Sequence, residues 1–223
     1  MSERVRALMV GCGSIAGSWL NGAKEIPQLE IVGLVDLNPE AAERRKEEYG
    51  LTGAMTGTDM VSAIESLKPD AVFDLTIPET HAKVATAALE RGCHVLGEKP
   101  LADSMENARG IVEASRKAGK IHAVIQNRRY EPNARAFREF VASGRIGDLT
   151  TLNCDFYIGA HFGGFRDRME HVLLLDMAIH TLDIARFFAG SDPVAVYCKE
   201  WNPKGSWYDH DASAIAIFEM SDG

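Results

Sequence analysis

Asp176, His180 and Asp183 stand within LLLDMAIHTLDIARFFAG, residues 173–190 of a 223-residue chain, a stretch otherwise apolar enough to be a buried helix. A helix advances about 100° per residue, so the three fall in one narrow sector and share a face. The flanking Val172, Leu173, Ile179, Ile184 and Phe187 are apolar. The face is therefore either the solvated stripe of an ordinary amphipathic helix or a set of groups kept in apolar surroundings for use, because a buried ionisable group must be paired or functional. A histidine titrates near neutrality and can accept a proton from an alcohol. A carboxylate one turn away can bind a neighbouring hydroxyl or pass the proton on. Asp183 either orients the imidazole or only satisfies local hydrogen bonds, and the second reading is the simpler.

A second constellation lies at the other end of the chain, where a run of apolar residues leads into GCGSIA, residues 11–16. Gly11 allows a tight turn, Gly13 lets a pyrophosphate approach the backbone, and Ala16 lets the next helix pack close. The start of that helix, with Ser14 and Ile15, then faces the phosphates. The following strand ends in Asp36, placed to accept hydrogen bonds from the adenosine ribose and to repel a 2'-phosphate. Leu37 comes next rather than an Arg or Lys, so NAD is favoured over NADP. The competing reading of Asp36 is an acid in an ordinary loop. Arg44 and Arg45 read as solvated helix residues.

These residues need elements to hold them. Runs at 5–11, 29–36, 70–76, 93–98 and 121–127 read as strands, most of them near-continuously apolar as buried parallel strands are. Helical stretches at about 14–25, 39–49, 58–68, 79–91 and 104–118 alternate with them, several closed by glycine. The alternation predicts an α/β fold, a Rossmann-type doubly wound parallel sheet over residues 1–127. The pattern then changes. One more helix, EPNARAFREFVASGRIG, is followed by DLTTLNCDFYIG (148–159), PVAVYCKEW (193–201) and ASAIAIFEMSDG (212–223), which read as strands. They predict an α+β domain over 128–223 built on a mainly antiparallel open sheet. Asp222 and Gly223 form a hairpin signal with no second strand after it, so the reading is either a partial second domain or a last strand left as an open edge.

The bulk properties narrow the classes. Twenty-four basic against 32 acidic residues give a net charge of -8, with no Lys/Arg-rich block, which argues against nucleic-acid or anionic-membrane partners. The start MSERVRALMVGCG passes quickly into a strand and reads as having no signal peptide, and no apolar run approaches a membrane span. Cys12, Cys93, Cys154 and Cys198 lack CxxC pairing, so the expectation is a cytoplasmic protein with four reduced thiols. His161, His171, His180 and Asp176 match no standard metal-ligand spacing, and no metal is expected. Trp201, Trp207 and Tyr208 either form an apolar platform for a sugar ring or cover the sheet.

GCGSIA, Asp36, TIPETHAKVATAALERGCHVLGEKPLA (76–102), QNRRYEP (126–132) and LLLDMAIHTLD (173–183) occur in the order of the glucose-fructose oxidoreductase / inositol dehydrogenase / rhizopine-catabolism (Gfo/Idh/MocA) family, which the chain resembles. The resemblance implies a two-domain NAD-dependent oxidoreductase with the nicotinamide at the C-terminal ends of the parallel strands. It further implies that Lys99 lies beside the nicotinamide and that Asp176 and His180 face it. Thr76, Pro78 and His81 would line the cofactor, and Glu98 and Pro100 would fix the turn that aims Lys99. His180 is then the base, and the Lys99 ammonium stabilises the developing oxyanion. Arg128, Arg129, Tyr157, His161 and His171 are the candidate contacts to a polyol substrate. Arg128 and Arg129 equally suit pairing with acids. Family members usually have small, Gly-rich residues where this chain has MEHVLLLD, which puts the bulkier His171 near the mouth of the site. They also usually continue beyond residue 223, so the second-domain sheet, expected to mediate homo-oligomerisation, is expected to be incomplete. Two other functions fit the same residues: an NAD-binding regulator that turns nothing over, and a glycosidase or epimerase that uses NAD transiently.

Overall fold

The computed structural model describes residues 4–223. The chain forms two compact units, the first ending at Ile125 and the second beginning at Gln126. The first alternates strand and helix throughout: β1 (Val5–Val10), α1 (Ser14–Lys24), β2 (Leu29–Val35), α2 (Pro39–Tyr49), β3 (Met55–Gly57), α3 (Met60–Leu67), β4 (Ala71–Asp74), α4 (Pro78–Glu90), β5 (His94–Gly97), α5 (Met105–Ala118) and β6 (His122–Val124). The six strands make one parallel sheet in the order β3-β2-β1-β4-β5-β6. The chain winds outward from β1 on one side and then returns to build the other, so the order reverses between β1 and β4, where such sheets open a crevice for ligands.

Strand periodicity explains why both faces are covered. Leu8 and Val10 of β1 join one buried cluster with Ile64, Val84, Leu89 and Ile111 from α3, α4 and α5. Ala7 and Met9 point the other way and join Ala16, Leu20, Ala41 and Ala42 from α1 and α2. A strand buried on both faces has no polar side, hence the near-continuous apolar runs. Helix ends follow local chemistry. Asn38 caps α2 through Glu40 N at 3.0 Å, with Pro39 at the first helical position. Ser104 caps α5 through Asn107 N at 3.2 Å. Gly50 and Gly119 close α2 and α5 in the left-handed conformation that a side chain would oppose. The short β3, within the Gly- and Thr-rich TGAMTGT, has no apolar run to announce it.

The second unit contains α6 (Pro132–Ala142), a π-helical segment (Leu173–Ala178) that continues directly into α7 (Ile179–Ala189), and two antiparallel strands, β7 (Pro193–Trp201) and β8 (Ser213–Met220). Single-turn 3-10 segments cover Asn127–Tyr130 and Gly164–Arg168. Two expectations are corrected here. Residues 148–159 form no strand, because their apolar–polar alternation finds no neighbouring ladder among the described residues. The helix around Asp176 also does not begin as a regular α-helix.

Candidate functional site

Within the first unit the candidate residues gather at the C-terminal ends of β1, β2, β4 and β5. Gly11 follows β1 with φ +95°, a conformation unfavourable for any side chain. A Cβ there would stand 2.6 Å from Leu75 O, so the residue is glycine for space as well as for torsion. Gly13 is different, since a Cβ would meet nothing within 4 Å. It caps α1 from an extended conformation without a side-chain hydrogen bond to the first amides, near Ser14 and Ile15. The helix start therefore offers backbone N–H groups to an open space, a cradle suited to a phosphate. Ala16 is fully buried against the sheet, as close helix packing needs.

Asp36 is built into the same loop. Its Oδ2 accepts from Cys12 N at 2.7 Å and its Oδ1 from Asn38 N at 2.8 Å, which fixes the carboxylate at the end of β2. Arg45 departs from expectation. It is not a solvated helix residue: its Nη2 donates to Gly13 O at 2.7 Å and its Nη1 to Glu48 at 2.7 Å, while Nε lies 3.4 Å from Cys12 O. The arginine thus ties α2 to the glycine loop, and no local spacing in the sequence signals that. Between them sits Cys12, whose thiol is pushed up to about 12, first by burial and then by Asp36, with Arg45 opposing. It remains a neutral thiol, so it adds no negative charge beneath the loop.

At the ends of β4 and β5, Glu98 and Thr76 frame the turn carrying Lys99. Asp74 Oδ1 accepts from Thr76 N at 3.1 Å and Oγ1 at 2.6 Å. Glu98 N donates to Asp74 O at 2.8 Å, and the Glu98 carboxylate accepts from Trp19 Nε1 at 2.8 Å and from Lys99 N at 3.2 Å. The Lys99–Pro100 peptide is cis. Pro78 is buried at the first position of α4. His81, on the same helix, is 3% exposed, and both its ring nitrogens lie against carbonyl oxygens of its own unit.

The second unit holds the other candidates. Asp176 lies in the π-helical segment and is 2% exposed. Its carboxylate accepts from Arg166 Nε at 2.6 Å and Nη2 at 3.3 Å, and the Arg166 guanidinium lies 4.6 Å from the centre of the Phe165 ring and 5.6 Å from that of Phe162. Arg166 is the residue that sequence reasoning missed, since only the fold brings it to the aspartate. His180 follows in the first turn of α7 and is half-buried. Asp183 is taken by Arg129, which grips both its oxygens, with Nε to Oδ2 at 2.9 Å, and lies over the Phe187 ring. That forked pair raises the pKa of Arg129 and occupies both oxygens of Asp183, through a partner distant in sequence rather than a local one.

The candidate substrate contacts scatter. His161 stacks on Trp207 at 4.9 Å and bonds Asp167 at 2.7 Å. His171, at φ +54°, bonds Glu200 at 2.7 Å. Arg128 lies over Phe156, and Tyr157 is 91% exposed. A small cavity of about 50 Å³ reaches Asp176 between Phe162, Leu173, Met177, Trp207 and Tyr208. Among the described residues no group of three or more metal-type ligands occurs, and no helix is long and apolar enough to cross a membrane.

The glycine cradle, the anchored Asp36 and the N-terminus of α1 fit a dinucleotide. Comparison with known proteins agrees. The profile described as "Oxidoreductase family, NAD-binding Rossmann fold" matches residues 5–126, and the "GFO/IDH/MocA C-terminal domain" matches residues 134–223. The 1,5-anhydro-D-fructose reductase of Ensifer adhaerens is 32% identical over 190 residues, covering 83% of this chain and 56% of that protein. The inositol 2-dehydrogenase of Corynebacterium glutamicum strain R is 28% identical over 229 residues, covering 100% and 66%. The chain therefore spans 56% to 66% of the length of these relatives. An oxidoreductase from Agrobacterium radiobacter, solved in complex with NAD+, L-tartaric acid and magnesium, superposes with a TM-score of 0.88 at 20% identity over 99% of this chain and 64% of that one, a likeness of fold. With both of its units matched in order, the chain belongs to the GFO/IDH/MocA oxidoreductase family.

Proposed function

We propose that the protein is an NAD-dependent dehydrogenase that oxidises a secondary hydroxyl of a sugar, cyclitol or related polyol. The observation that carries the reading is the Lys99 turn. It stands at the same end of the parallel sheet as the glycine cradle and Asp36, braced by Glu98 against both Trp19 and the Lys99 amide. NAD, when bound, supplies the hydride acceptor. Gly13 and the helix start at Ser14 and Ile15 hold its phosphates in a loop shaped by Gly11 and by the close packing of Ala16, Asp36 takes the ribose hydroxyls and disfavours a 2'-phosphate, and Thr76 and Pro78 line it.

Two tasks remain for the side chains. His180 accepts the hydroxyl proton, and Lys99 donates to the oxygen as negative charge develops on it. Asp176, clamped by Arg166, is a fixed negative group that orients a neighbouring hydroxyl or relays the proton. The relatives named as acting on anhydrofructose and inositol support a small polyol as the substrate class. We extend the proposal to a cytoplasmic protein that self-associates through the second unit's sheet, where Tyr197, Ile215 and Ile217 are 74%, 63% and 65% exposed. Residues 1–127 and 128–223 are then the nucleotide-binding and the substrate and oligomerisation domains.

The test is formation of reduced nicotinamide from NAD with a panel of polyols. Lys99→Ala and His180→Ala should each cut the rate by roughly 10²–10⁴ while NAD titration stays near wild type. Unchanged rates in both variants would overturn the roles, and tighter binding of NADP than NAD would overturn the choice of cofactor.

A further inference from the structure

His81 has no task in the proposed proton transfer, yet it is among the most deeply buried polar side chains of the first unit. Its Nδ1 lies 2.8 Å from Pro100 O and its Nε2 lies 3.1 Å from Thr76 O. Carbonyl oxygens only accept. A neutral imidazole carries one N–H, so it would satisfy one of these contacts and turn a lone pair toward the other oxygen. An imidazolium donates to both.

A buried cation needs a nearby negative charge, and the fold supplies one. Asp74, at the end of β4, is 1% exposed and shares Thr76 with the histidine: Thr76 donates its N–H and Oγ1–H to Asp74 and presents its carbonyl to His81. Burial holds the Asp74 carboxyl above its usual range, with His81 and the Thr76 hydrogen bonds opposing. The other titratable neighbour is His122 on β6, held down to about 4 by burial first and by His81 second. It is a neutral ring and does not compete for the role of cation.

The consequence concerns Lys99. The residue before it is pinned through Glu98 N to Asp74 O and through the Glu98 carboxylate to Trp19. The residue after it, Pro100, has no N–H to give, and its carbonyl is held by His81. From this geometry we infer that His81 is a positioning residue, a doubly protonated clamp that joins Thr76, at the end of β4, to Pro100 and thereby holds the Lys99 turn against the cofactor-lining Thr76. The inference rests on the proposed role of Lys99.

Two measurements test it. In the wild-type protein, ¹⁵N NMR of the histidine rings at pH 7.5, with His81 assigned by loss of its signals in His81→Gln, should show two ring N–H groups. One N–H and one bare nitrogen would overturn the clamp. This readout needs no turnover, so it decides even if no polyol is oxidised, a result that would instead overturn the proposed function. In kinetics, His81→Gln should lower kcat about a hundredfold, the scale of a misplacement near 1 Å, with NAD affinity near wild type. Added to Lys99→Met, it should lower the residual rate no further, because it acts through that lysine. Losses that multiply, or a wild-type kcat in His81→Gln, would overturn the positioning role.

Discussion

Gly11 and Gly13 stand two residues apart in one loop, and the structure assigns them opposite responses to the same substitution. In Gly11→Ala the new Cβ meets the Leu75 carbonyl, with O at 2.6 Å and C at 2.7 Å. That carbonyl is backbone and cannot swing aside, and Leu75 N is itself bonded to Val10 O at 2.8 Å, so relief would disturb the β1–β4 ladder. Overpacking of this kind costs about 1–3 kcal/mol, and a non-glycine residue at φ +95° adds roughly 1–2 kcal/mol. The sum, about 2–5 kcal/mol, corresponds to a fall in Tm on the order of 10 °C for a chain of this length. Gly13→Ala meets nothing within 4 Å at a negative φ. Its Tm should therefore stay within about 2 °C of wild type, while its Cβ fills space a pyrophosphate needs and NAD binding weakens by roughly tenfold or more. Differential scanning fluorimetry and NAD titration by calorimetry read the two quantities separately. A wild-type Tm for Gly11→Ala, or a loss of stability in Gly13→Ala equal to that of Gly11→Ala, would refute this division between a glycine kept for the fold and one kept for the ligand.

Arg45→Met keeps the aliphatic stem and removes the charged bonds to the glycine loop, so NAD binding should weaken about tenfold in the same titration with little change in Tm; unchanged affinity would mean the loop is ordered without it. Thiol alkylation at pH 8, followed by peptide mass mapping, should modify the exposed Cys198 first and Cys154 more slowly, because burial and Asp155 raise the latter's pKa. With its pKa at about 12, Cys12 has a thiolate fraction of roughly 10⁻⁴ at that pH and is buried as well. It should stay unlabelled until the protein unfolds, and early labelling of Cys12 would contradict its placement.

The first unit was legible because its signals are local. Strands β1, β2 and β4 are short, largely apolar and buried on both faces, helices α2, α3 and α5 begin on a side-chain cap, and the glycine loop follows its strand directly, whereas the half-buried β3 offers no such run. Asp36 could be placed because it ends the second strand. What escaped depends on partners distant in sequence. Arg45 is an ordinary surface residue by spacing, and only the packing of α2 brings it to Cys12 and Gly13. Residues 148–159 alternate as a strand should, but alternation describes one strand's faces and says nothing about whether a ladder exists to receive it.

The helix carrying Asp176 and His180 departs from the regular geometry on which those residues were chosen. Four residues overshoot a regular helical turn by about 40°, and the expected sharing of one face by Asp176, His180 and Asp183 assumed that rotation throughout. Leu173–Ala178 is instead π-helical, with wider turns, and the α-helical rotation begins only at Ile179. Asp176 therefore belongs to a different helical geometry from the other two. It is buried and held by Arg166, while Asp183 is engaged by Arg129 from its own unit. Nothing in LLLDMA signals a π turn, because its residues suit an α-helix equally well. Insertions of this type gather at functional sites, where an altered rotation re-aims one side chain without moving the rest of the helix. The separation of Asp176 from Asp183, argued from the sequence only by simplicity, thus has a structural cause: the two carboxylates sit on differently wound segments and answer to different arginines.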